Sequence, residues 1–219
     1  MVNVKDNASS RETCRKLIEA AGEVFAERGL HAATLQEITD RAGTNKAAVN
    51  YHFHDKFELY AAVGRHALSC GSMAHLIEDM EGPPEDRLRA LINRIITDIF
   101  DPALPPWRGT IIGHELAQPT AALEAVMTDL IEPHNRCQLA IVREILGPRA
   151  SQQLVSQMTM SIVAQCLFYL QGKEILRRLF PEATLDASGV DKIAAHIADF
   201  SLAALRAARR QLNSSRRTR

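Results

Sequence analysis

A chain of 219 residues, 46% hydrophobic and 24% charged, carries enough apolar material for one large or two modest cores, which excludes an intrinsically disordered protein. Lys+Arg and Asp+Glu both number 26. A protein that compacts nucleic acid through an excess of positive charge is therefore excluded, and affinity for a polyanion must come from local placement of cations.

The N-terminal MVNVKDNASSRETCRK puts charges where a signal peptide needs an apolar core. No apolar run approaches the roughly 20 residues that span a bilayer, so no membrane partner is expected and the cytoplasm is the expected location. Ser9 and Glu12 have the spacing of a capping box. After them Cys14, Leu17, Ile18, Ala21, Val24 and Phe25 recur at helical spacing until Gly29. A second box, Thr34 with Glu37, opens LQEITDRA, which Gly43 stops in a left-handed position.

The next element, Lys46–Phe53, turns Val49 and Phe53 inward and leaves Lys46, Ala47, Asn50, Tyr51 and His54 on the opposite face. Asp55 and Glu58 cap a following helix with Phe57, Leu59, Tyr60, Val63 and Leu68 as its apolar positions. Beyond it no period-2 stretch occurs, and each Pro or Gly cluster separates segments of helical period. Helices are predicted near 85–100, 107–117, 119–146, 149–178 and 189–212, with Pro133 kinking the third. The chain reads as all-α: a helix-turn-helix domain over 1–65, a helical regulatory and dimerisation domain over 66–212, and a basic tail over 213–219.

Two capped helices joined at Gly43, the second presenting small and hydrogen-bonding side chains, form the pattern of a DNA-binding helix-turn-helix. Ala47 permits close approach to a duplex, Asn50 can read a base edge or a phosphate, and Tyr51 and His52 can reach phosphate oxygens. Lys46 joins this face. Thr34 and Lys56 lie at helix N-termini, where backbone N–H groups favour a phosphate.

Residues 11–63 resemble the TetR family of one-component bacterial transcriptional regulators, in RKLIEAAGEVFAERGLHAATLQEITDRAGTNKAAVNYHFHDKFELYAAV. The Tyr51-His52-Phe53 run leading to Lys56 carries the motif's ending. Thr44 departs from the family pattern, which usually has an apolar residue there, and Asn50 replaces a frequent Tyr. The AAVNYHF form, with Trp107, His114-Glu115-Leu116 and Pro119-Thr120 after it, is similar to the CecR-like branch.

The resemblance implies a double-stranded DNA operator, a small-molecule effector and a homodimer made by the last two helices. Apolar rows there are Leu154, Met158, Ile162, Cys166 and Tyr169, then Ile193, Ile197, Phe200 and Ala204, though periodicity alone does not separate an interface from an intrachain core. By analogy with the fold, Phe100, Trp107, Ile111, His114, Glu115 and Met127, with His134 and Asn135 nearby, are candidates for an effector pocket. Core packing for Trp107 and helix bridging for His114 and Glu115 are the plainer alternatives.

A competing function is a small helical enzyme using His114 and Glu115 as an acid/base pair. No nucleophile elbow, phosphate loop or metal motif accompanies them. His66, Cys70 and His75 do not make a closed metal site, because only the first two share a helix face. Cys14, Cys70, Cys137 and Cys166 form no CxxC pair and are expected as reduced thiols. No cofactor is expected.

Overall fold

The structure, a computed structural model, describes residues 4–69, 81–121, 124 and 127–214. Every regular element among them is helical. The chain divides into two compact units, Met1–Cys70 with Leu104–Leu130, and Gly71–Ala103 with Ile131–Arg219. Packing therefore groups residues 104–130 with the N-terminal unit, whereas the sequence reading places them in the regulatory domain.

The first unit is built from α1 (Val4–Ala32), α2 (Leu35–Ala42), α3 (Lys46–Phe53), α4 (Lys56–Ser69) and α6 (Arg108–Ala117). Its core joins Leu17, Val24 and Phe25 of α1, Ile38 of α2, Val49 and Phe53 of α3, and Leu59 and Val63 of α4. Trp107 and Ile111, at the start of α6, complete it. Trp107 lies directly on Gly22, where a Cβ would stand 2.3 Å from the indole. Glycine at this helical position is what lets the ring approach the α1 backbone.

The second unit contains α5 (Pro84–Phe100), α7 (Glu132–Leu146), α8 (Gln152–Gln171), α9 (Lys173–Leu179) and α10 (Val190–Ser214). Leu88, Ile92 and Ile96 of α5 meet Ile141 and Ile145 of α7, Val155 and Ile162 of α8, and Ile197, Leu202 and Leu205 of α10. Burying each such side chain contributes about 1.5–3 kcal/mol, which makes this core the main source of the unit's stability. Arg206 pairs with Glu85, and Arg89 with Asp199 at 2.6 Å, along the exposed seam of α5 and α10.

Four local expectations change. Ser9 lies inside α1, not at its start, and Glu12 turns instead to Arg15 at 2.7 Å. The segment 119–146 is not one helix: a π-helical turn, Met127–Ile131, precedes α7, and Pro133 lies in the first turn of α7. Proline is tolerated there because a first-turn N–H has no partner inside the helix, so it starts a segment instead of kinking one. The segment 149–178 breaks at Gly172, where a Cβ would stand 2.8 Å from the Phe168 carbonyl oxygen. Phe57, expected as an apolar core position of α4, is exposed.

Candidate nucleic-acid interface

The turn between α2 and α3 is closed by local chemistry. The Thr34 hydroxyl accepts from the Glu37 N–H at 3.2 Å, and the Glu37 carboxylate accepts from the Thr34 N–H at 3.0 Å, a complete capping box. The Thr34 hydroxyl and N–H together hold the Glu37 carboxyl below its ordinary value. Gly43 ends α2 at φ 63°, ψ 38°, and the Thr44 N–H donates to the Thr39 carbonyl at 3.0 Å. The Asn45 side chain then accepts from the Ala48 N–H at 3.1 Å and starts α3.

Val49 and Phe53 anchor α3 in the core, which leaves Lys46, Ala47, Asn50 and Tyr51 exposed along its outer face. Tyr51 is 77% exposed, so its phenol projects well beyond the helix. His52 is half-buried and meets the Tyr51 ring edge-on at 4.9 Å. The seven candidate DNA contacts thus fall on one stretch of the first unit, with different duties. Thr34 spends its side chain on the capping box.

Lys56 also has a duty that spacing does not show. Its ammonium donates to the His31 and Ala33 carbonyls at 3.1 and 3.0 Å, tying the start of α4 to the link between α1 and α2. An ammonium has three donors, so one remains. The Asp55 carboxylate accepts from the Phe57 and Glu58 N–H groups at 2.8 and 2.9 Å, and this caps α4 as its sequence predicts.

The six candidate effector contacts are divided between the two units. Trp107 and Ile111 are core residues of the first unit. Glu115 is buried, and its two oxygens accept from the Thr120 N–H and hydroxyl, each at 2.9 Å. The Tyr60 phenol also donates to this carboxylate, and burial with that bond pushes the phenol's pKa upward.

His114 and Glu115 line a cleft of about 580 Å³ with Tyr60, Arg28, His31 and Thr120. Phe100 belongs to the second unit, where the Lys173 ammonium lies 4.6 Å from its ring centroid. Met127 is half-buried in the π-helical turn. A separate groove of about 440 Å³ in the second unit is lined by Asn135, Leu139, Thr159, Met160, Val163 and Leu167.

The apolar rows expected at a dimer interface are mostly intrachain core. Leu154, Met158, Ile162, Cys166 and Tyr169 pack inside the second unit, as do Ile193 and Ile197. The exposed stripe is Met160, Ala164 and Phe168 on α8, with Phe200 and Ala204 on α10. Burial pushes the Cys166 thiol up to about 12, which keeps it protonated, and Cys14 and Cys137 are free thiols. His66 pairs with Glu19 at 3.5 Å, while Cys70 and His75 lie outside the described residues. Among the described residues no helix is long and apolar enough to cross a membrane.

Residues 17–63 match the family model described as bacterial regulatory proteins, tetR family, and residues 84–205 match the C-terminal domain of the HTH-type transcriptional dual regulator CecR. The chain is 27% identical to CecR of Shigella flexneri over 74% of its own length and 77% of that protein. It is 48% identical to the HTH-type transcriptional activator FasR of Mycolicibacterium smegmatis, over 28% of each chain. The chain spans less than half of the length of its first relatives. The fold is that of the transcriptional regulator FadR from Bacillus subtilis, solved with stearoyl-CoA, at a TM-score of 0.66 and 13% identity over 86% of this chain and 97% of that one.

Proposed function

Because the chain belongs to the TetR family of bacterial transcriptional regulators, in the group that shares the CecR C-terminal domain, we propose that it acts as a homodimeric, ligand-responsive repressor of a palindromic operator. The observation that carries this reading is the outer face of α3: Ala47, Asn50 and Tyr51 stand exposed on a helix whose N-terminus is capped by Asn45 and whose other face is core. Asn50 reads a base edge, Ala47 lets the helix approach it, and Lys46, Tyr51, His52 and the third donor of Lys56 meet phosphates. Thr34 contributes through the N-terminus of α2 and not through its occupied hydroxyl.

The second unit supplies the partner surface, for which Met160, Phe168 and Phe200 are apolar and exposed. A small amphipathic effector held in that unit would favour one spacing of the two α3 helices over another. A differential affinity of about 1–3 kcal/mol changes DNA binding by roughly 5–150-fold. α6 is a fitting lever for this shift, since Trp107 and Ile111 are rooted in the DNA-binding core and Arg108 donates to the Ala67 carbonyl at 2.6 Å.

The test is selection of bound fragments from a random DNA pool by the full-length protein. The expected consensus is an inverted repeat with half-sites about one helical turn apart. A consensus without an inverted repeat would overturn the dimeric-operator reading.

A further inference from the structure

Two residues link α3 to α4, and the first of them, His54, adopts a conformation that L-amino acids avoid. His54 has φ 63° and ψ −53°, and among the described residues it is the only non-glycine with a positive φ. The Asp55 N–H donates to the Phe53 carbonyl at 2.7 Å, which closes a three-residue γ-turn of the rarer, strained hand.

Both flanks hold this turn in place. Phe53 is buried in the core, Asp55 caps the first turn of α4, and Lys56 is tied to the His31 and Ala33 carbonyls. Relaxing the turn would require giving up one of those anchors, so the strain persists. Glycine adopts such angles without a steric penalty but leaves the link free to take others. The chain carries histidine there, with an exposed side chain whose Nδ1 lies 3.4 Å from the Asn50 carbonyl, too long to account for the conformation.

We propose that His54 is a positioning residue for DNA readout: its strained turn fixes the angle between α3 and α4, so that the base-reading face and the phosphate donors after it act as one rigid pair. This rests on the assignment of α3 as the recognition helix. His54 acts through its backbone, and its imidazole is dispensable.

The experiment compares wild type, His54→Gly and His54→Ala as full-length chains. Each is measured for thermal unfolding and for binding to the wild type's selected operator and to a scrambled duplex. His54→Gly should unfold at the same or a higher temperature, because strain is relieved, yet bind the operator about tenfold more weakly with a smaller change on scrambled DNA, reducing the specificity ratio. His54→Ala keeps a Cβ and the restricted backbone, and should retain operator affinity to within about twofold.

Undiminished operator affinity in His54→Gly overturns the proposal, and so does a loss that follows a lowered unfolding temperature, which would mark a purely structural role. Equal losses in both variants would assign the effect to the side chain and overturn it as well. If wild type selects no sequence at all, the recognition-helix reading itself fails. That outcome is separate from the others because it appears before any variant is made.

Discussion

Gly22 and Trp107 illustrate how a single missing side chain can set the position of a helix. Gly22→Ala gains up to about 1 kcal/mol of helix propensity. It also drives a Cβ to 2.3 Å from a buried indole, and overpacking of this kind costs about 1–3 kcal/mol, so net destabilisation is expected. Denaturant unfolding, with a shift of emission from the single tryptophan, measures both consequences. Lys56→Ala removes two hydrogen bonds from an ammonium to backbone carbonyls. It should lower stability by about 1.5–2 kcal/mol, the lower part of the charged hydrogen-bond range because the side chain is partly solvated. The same change should flatten the salt dependence of DNA binding by about one unit of slope if the third donor meets a phosphate. A stability loss with an unchanged slope would confine Lys56 to its bonds with the α1–α2 link. Asn50→Ala, by contrast, should alter base preference; equal losses on operator and random DNA would show a backbone contact only.

At the level of elements, α2 depends on a carboxylate that must stay ionised. Thr34 depresses the Glu37 pKa in the folded chain, so the box contributes in full above the unfolded carboxylate value and is lost as pH falls through the depressed one. Amide exchange in α2 should accelerate over that acid window in wild type and show no such step in Glu37→Gln. Phe200→Asp and Met160→Asp place charge on the exposed stripe of α10 and α8, so each should shift the protein toward monomer in sedimentation while leaving the unfolding midpoint of the monomer nearly unchanged. The caps at Thr34, Gly43 and Asp55 were legible in the sequence because each depends on residues within a few positions of one another. The same local reasoning misplaced Ser9, since the helix that absorbs it begins upstream. Lys56 meets carbonyls 23 and 25 positions away, and His54 bears no compositional mark of a positive φ, so neither role was legible. Trp107 and Ile111 have the spacing of pocket-lining residues and of core residues alike. Only their position in the folded unit distinguishes the two.

For the molecule as a whole, the chain contributes to its first unit twice, as Met1–Cys70 and again as Leu104–Leu130. A fragment stopping at Gly82 would retain the helix-turn-helix but lose Trp107 and Ile111 from its core, leaving the ground around Gly22 open. Such a fragment should melt at a lower temperature than the DNA-binding unit of the intact chain and bind an apolar dye, as calorimetry and dye fluorescence would show. The consequence reaches into heredity and engineering. A gene fusion that joins this reading head to a foreign sensor at a single crossover would part α1 from the tryptophan shaped to it. Chimeras of this chain should work only when the segment around Trp107 travels with the head or when the donor's own α6 fits against Gly22, so recombination into this chain would be filtered by one ring and the bare backbone it rests on.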